Sequence, residues 1–217
     1  MKRLNTFQPV AFAAAVVVMS FLSVPSFAQP VAESPAATPA GTVTTFHRKS
    51  SGSLGTFDGP VVWTFTHATW EGRPAVIQMA RLGGSAFDPK THANMATLDA
   101  EGKATMVFDP PVGFQWPMQV GKTWTSKHTV TTPATGRSVP LEVNWKVEAW
   151  EDVTVPAGTY KAYKVVTTNN FGEVETRWTA PAAGIVLAKR LVTRPASHPQ
   201  GAGELEAVLL SQVPPAK

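Results

Sequence analysis

This chain predicts an all-β domain, a curved antiparallel meander rolled into a barrel or half-barrel, and three observations carry the prediction. Extended runs rich in Val, Thr, Trp and Tyr recur from Thr42 to Val213, for example LEVNWKVEAWEDVTV over 141–155 and TYKAYKVVTT over 159–168. Residues that tolerate turn geometry separate these runs at close spacing: Thr135-Gly136, Ala157-Gly158, Asn169-Asn170 and Ala183-Gly184. No segment shows the apolar period of an amphipathic helix. Ten or so short strands so closely spaced favour one rolled sheet over a two-sheet sandwich.

The chain divides into three parts. Met1-Lys2-Arg3, an apolar block from Val10 to Val24 and Ser26-Phe27-Ala28 have the order of a secretory signal peptide over 1–28, cut after Ala28. The apolar block is shorter than the ~20 residues of a spanning helix. With no cysteine at the cut, no stable membrane anchor is expected afterwards, so the localisation is periplasmic or secreted. Residues 29–41, PVAESPAATPAG after Gln29, read as a disordered Pro/Ala-rich linker. Residues 42–213 form a single β-rich domain, long enough to bury most of its apolar surface without disulfides. The formal charge of +4 falls to +2 once Lys2 and Arg3 are set aside, too small and too evenly spread for nucleic acid.

In order, Thr42–Arg48 is a first strand, and Pro60–Trp70 places Val61, Trp63 and Phe65 on one face in period two. Glu71-Gly72-Arg73 turns into Pro74–Leu82. Met95–Ala100 and Lys103–Phe108 make a second hairpin, and the prolines of Asp109–Pro117 predict an ordered loop. Six further strands span Thr123–Thr131, Leu141–Val155, Thr159–Thr168, Glu173–Thr179, Gly184–Thr193 and Glu204–Val213. Trp145, in phase with Leu141, Val143 and Val147, belongs to the core. Trp150, in the opposite phase, lies under a loop or on a functional surface.

Three segments occur in one order: Trp116-Pro117-Met118-Gln119-Val120-Gly121-Lys122-Thr123-Trp124, then Val155-Pro156-Ala157-Gly158-Thr159-Tyr160, then Trp178-Thr179-Ala180-Pro181-Ala182-Ala183-Gly184-Ile185-Val186. This resembles a TapB-like group of bacterial exported β-rich proteins that carry a domain of unknown function. The likeness covers 110–193 well and the N-terminal half faintly. Thr179-Ala180 and Ala182-Ala183 depart from the group's last motif. The resemblance implies a curved antiparallel sheet and no particular reaction.

Catalytic patterns are sparse. Ser51-Gly52-Ser53-Leu54-Gly55 is not a nucleophile elbow, because no strand-to-helix turn surrounds it. The five histidines lack close metal-ligand spacing, so neither a metal site nor a cofactor is predicted. His128 shares a face with Trp124 and Ser126. Glu173, Glu175 and Arg177 alternate with Val174, Thr176 and Trp178, which reads as a solvated outer face bearing ion pairs. Binding remains: seven tryptophans exceed what a core of this size requires, and Trp70, Trp116, Trp124, His128 and Trp150 are the candidate ligand-binding residues. The chain thus reads as a non-enzymatic envelope protein that binds an apolar small molecule, a lipid or an envelope protein. Two alternatives stay open: a hydrolase of envelope glycans or esters using Glu175, His128 or Asp152, and a structural module pairing through the edge of Glu204–Val213.

Overall fold

The computed structural model describes residues 30–215, so the expected signal peptide lies outside the described residues. Twelve strands follow one another: β1 (Val43–Gly52), β2 (Phe57–Trp70), β3 (Arg73–Ala80), β4 (Gly83–Phe87), β5 (Asn94–Leu98), β6 (Ala104–Val112), β7 (Thr123–Thr132), β8 (Arg137–Val155), β9 (Gly158–Asn169), β10 (Val174–Ala180), β11 (Ile185–Arg194) and β12 (Gly203–Val213). A 3₁₀ turn, Pro181–Ala183, joins β10 to β11. Each strand pairs antiparallel with the next, and β1 pairs with β12 from Val43 opposite Val213 to Gly52 opposite Gly203. The expected barrel is closed. Closure pairs β12 with β1 along its whole length and with β11 over Gly203–Val208, so most of the edge that a pairing module would need is occupied.

Two elements differ from expectation. Gly83–Phe87 is a strand although Gly-Gly-Ser-Ala-Phe has little strand propensity. Gly84 is required there because a Cβ would come within 2.0 Å of the Gln78 carbonyl oxygen. β6 runs on through Pro110 and Pro111 where an ordered loop was expected. The prolines fit because the ladder to β7 ends at Asp109 opposite Thr129, so their missing N–H groups have no partner to lose.

The expected linker is irregular, as its composition implies, but from Pro30 it is bonded to the barrel. Tyr163 Oη donates to the Pro30 carbonyl at 2.5 Å, Ala32 and Met118 exchange backbone bonds of 3.0 and 2.7 Å, and His67 Nε2 donates to the Thr38 carbonyl at 2.9 Å. These anchors lie on β9, the β6–β7 connection and β2, so the segment straps across the mouth of the barrel where β1 begins.

The same mouth receives the β8–β9 hairpin. A bulge at Glu148 shifts the register between Val147 and Ala149. Beyond it Val153, Val155 and Ala162 pack with Phe46, Leu205 and Leu209, and the tip amide of Ala157 donates to the Leu209 carbonyl at 3.1 Å. The Val-Pro-Ala-Gly segment is therefore the tip of a cover. Met118, Val143, Trp145, Val147, Tyr163 and Val165 form a second cluster below the strap. A third, Ala75, Ala86, Met95, Ala96 and Leu98, is bordered by Trp70, Ile77 and Met79. Its Ile77, Ala86 and Ala96 alternate with Gln78, Ser85 and Thr97, which line the lumen, so β3–β5 turn mostly polar residues inward, Phe87 excepted, and pack apolar ones on the opposite face.

Candidate ligand cavity and lateral cleft

The lumen holds a cavity of about 260 Å³. Alternation puts Phe46 and Arg48 of β1, and Val61, Trp63 and Phe65 of β2, on its wall. Arg177 and Arg190, paired across β10 and β11, face it as well. Glu175 projects inward between the two arginines: Arg190 Nε donates to its Oε1 at 2.6 Å, Arg177 Nε reaches the same oxygen, and an Arg177 terminal nitrogen donates to Oε2 at 3.1 Å. Burial alone would raise the Glu175 pKa, but the two guanidinium groups outweigh it and hold the carboxyl at about 2. Beside them, Arg194 Nε pairs with Glu173 at 2.5 Å.

The outer-face reading of Glu175 and Arg177 is thus reversed. Glu175 is 9% exposed whereas Val174 is 39% exposed. Trp178 faces outward, its ring flanked by the ammonium groups of Lys164 and Lys189 at 5.9 and 5.8 Å and its Nε1 donating to Glu151 at 2.7 Å. Cations over an aromatic face make an outward tryptophan tolerable, and mutual pairing makes the inward charges tolerable.

Above Arg177, Phe114 of the β6–β7 connection and His92 of the β4–β5 connection close over the lumen. His92 stacks on Phe87 with ring centroids 4.4 Å apart. Burial, then the nearby Arg177 charge, push its pKa down to about 4, so the imidazole is neutral at physiological pH.

A second hollow, of about 390 Å³, lies where the barrel wall splits. β6 and β7 pair only at Val107, Phe108 and Asp109, and above that point the two strands part. Trp124, Ser126 and His128 of β7 face Pro110 and Pro111 of β6 across this lateral cleft. Gly113 and Phe114 line both the cleft and the lumen, so the Phe114 ring stands between them. Lys122 Nζ holds the loop in place by donating to the Gln115 and Pro117 carbonyls at 2.9 and 2.7 Å.

His128 ends a hydrogen-bond chain along the cleft. Its Nδ1 lies 2.7 Å from the Pro110 carbonyl, which can only accept, so Nδ1 carries the proton. Nε2, 2.7 Å from Ser126 Oγ, then accepts from the hydroxyl, whose oxygen takes the Trp145 Nε1 proton at 2.8 Å. A serine hydroxyl donating to an imidazole is the start of a nucleophile–base pair. Here the hydroxyl oxygen is occupied by the indole and the imidazole is oriented by a carbonyl, an arrangement that fits a locked wall better than an acyl-transfer centre.

The sequence candidates scatter. Trp124 and His128 meet at the cleft, with Trp124 stacked on Trp145 at 5.2 Å. Trp116 is one residue-pair away, edge-on to Phe114 at 6.1 Å, with Nε1 donating to the Thr91 carbonyl at 3.0 Å. Trp150 is returned by the Glu148 bulge to a position opposite Tyr163, 4.5 Å between centroids, and packs into the cluster under the strap. Trp70 borders the third cluster, with the Arg73 guanidinium over its ring at 5.6 Å. None of the five lines the lumen, whose aromatic wall is Trp63, Phe46, Phe65, Phe87 and Phe114. The period-two face of Val61, Trp63 and Phe65 was the available signal for it. Glu175, His128 and Asp152 occupy three separate places: the lumen, the cleft, and an exposed pair in which Lys161 donates to Asp152 at 2.9 Å.

No family model matches the chain, and no curated protein matches it. Solved structures include two that resemble it. A candidate exported protein with a YmcC-like fold from Bacteroides fragilis is 12% identical, covering 85% of this chain and 100% of its own with a TM-score of 0.47. YmcC from Escherichia coli K12, described as a hypothetical lipoprotein, is 13% identical, covering 82% of this chain and 87% of its own with a TM-score of 0.44. The TapB-like resemblance accordingly has no family model behind it, and likenesses this distant carry nothing about ligand or reaction.

Proposed function

We propose that this is a non-enzymatic binding protein of the exported compartment, which keeps a small amphipathic molecule in the barrel lumen and takes it up through the cleft between β6 and β7. The observation that carries the reading is the shared wall: Phe114 and Gly113 border a hollow in the interior and a hollow in the side of the barrel at once. Pockets that hold small ligands combine apolar walls with a few convergent polar groups, and this lumen has both Trp63, Phe46 and Val61 and a set of arginines. The leader-like start of the chain supports the compartment.

The test is uptake of decanol by the full-length protein, followed by the fluorescence of its tryptophans. Saturable binding is expected, with faster association in Phe114→Ala and slower association in Phe114→Trp. Absence of saturable binding removes the reading. Equal association rates in all three proteins would remove the cleft as the route.

A further inference from the structure

The lumen wall carries more positive charge than its carboxylates balance. Arg48, Arg177 and Arg190 face the cavity, and Glu175 answers only the last two. Glu173, the next acid on the same face of β10, is committed to Arg194. Arg48 donates to Ser50 Oγ at 3.3 Å and to the Leu54 carbonyl at 2.7 Å, both neutral acceptors, and forms no ion pair among the described residues. In register it sits across Ala207 from Arg190, two guanidinium groups on neighbouring positions of one wall.

Holding a guanidinium out of bulk water beside a second one costs free energy that a barrel built only for stability avoids by using apolar side chains. Three further polar atoms of cavity-lining residues lack partners among the described residues: Thr44 Oγ1, on the same face of β1 as Arg48, Thr38 Oγ1 and Asn94 Oδ1. Next to Arg48, on β1 and β2, the wall is apolar, formed by Phe46, Val61 and Trp63.

We infer that the lumen recognises an oxyanion-headed amphiphile, a carboxylate or a phosphate monoester, with its head between Arg48 and Arg190 and its chain along Phe46, Val61 and Trp63. The inference rests on the binding function proposed above and names the ligand class for it. A guanidinium fork matches both kinds of oxyanion, and the volume, at the small end of ligand pockets, suits a chain of about ten carbons.

Titration of the full-length protein with decanoate, decyl phosphate, decanol and decyltrimethylammonium tests it. One or both oxyanions are expected to bind at least tenfold more tightly than decanol, the ammonium not at all, and whichever oxyanion binds more tightly identifies the head. Arg48→Met should abolish the advantage of the oxyanions over decanol. Should that variant fail to fold by circular dichroism, raised salt on the wild type replaces it: oxyanion affinity falls while decanol affinity does not. Equal affinity for decanol and both oxyanions overturns the head assignment and leaves the binding reading standing. An oxyanion preference unaffected by Arg48→Met in a folded variant, or by salt where that replaces the variant, overturns the placement. Failure of all four to bind overturns both.

Discussion

The two sides of this barrel are built differently. From β8 round to β12 the strands run 19, 12, 7, 10 and 11 residues, and the hairpin tip folds back to seal one mouth. From β4 to β6 they are 5, 5 and 9 residues long, their register shifts at bulges, and the wall parts between β6 and β7. The first side supplies the inward charges and the packed clusters beneath the strap and the hairpin tip; the second supplies an opening and a largely polar inner surface. Stability and access are thus assigned to separate arcs of one continuous sheet, and a change in one arc is expected to spare the property housed in the other.

The sharpest way to break this division is at Glu175. Glu175→Gln leaves the half-buried Arg177 and Arg190 without their counter-charge and, with solvent screening taken off the cost of a fully buried pair, should cost about 2–3 kcal/mol, read as a lower denaturant midpoint. A loss below about 1 kcal/mol would mean that water already screens the trio. Next, Leu209→Ala on the long-stranded side should cost about 2–5 kcal/mol, whereas Leu98→Ala on the short-stranded side, where relaxation is easier, should fall at the low end of that range. Equal losses would erase the distinction.

Acid separates the sides by a different route. Folding lowers the pKa of His92 to about 4 from 6.5, so below pH 6.5 the unfolded chain binds the extra proton and stability drains away as the pH falls towards 4. The His92 share is on the order of 2 kcal/mol after allowing for solvent reaching the ring through the cavity. Glu175 adds a loss at lower pH, from its ordinary range down to about 2. His92→Gln should flatten the pH 6.5–4 portion of a stability profile, and an unchanged slope there would refute the role given to His92. The smallest effect is expected at the strap: Tyr163→Phe deletes one hydrogen bond to Pro30, worth about 1 kcal/mol, and should speed amide exchange at Ala32 while leaving β9 and β11 protected.

Much of the wall was legible in advance, because strand propensity and turn residues are local properties. The core position of Trp145 and the common face of Val61, Trp63 and Phe65 follow from period two alone. What period two cannot supply is the sign. It groups Glu175 with Arg177, but inward or outward depends on partners supplied by other strands, such as Lys164 of β9 and Lys189 of β11 on Trp178. A single extra residue at Glu148 undid the phase assigned to Trp150. The cleft left no trace because it arises from where two strands cease to pair, and Pro110 and Pro111 suggested a loop there instead. The strap was hidden by composition: Pro and Ala predict irregular backbone, and backbone carbonyls such as those of Pro30 and Thr38 accept bonds whatever their side chains.

Pairing of β1 with β12 makes the last strand of the domain the neighbour of its first. Every other ladder in the wall joins consecutive strands and can form as a hairpin while the chain lengthens. The seam must wait for Gly203–Val213, and until then β1 and β11 both present unsatisfied edges able to capture the same strand from another copy. During folding the most hazardous interval for this protein is therefore the one just before its final strand arrives, when reciprocal strand exchange between two molecules would complete two barrels at once.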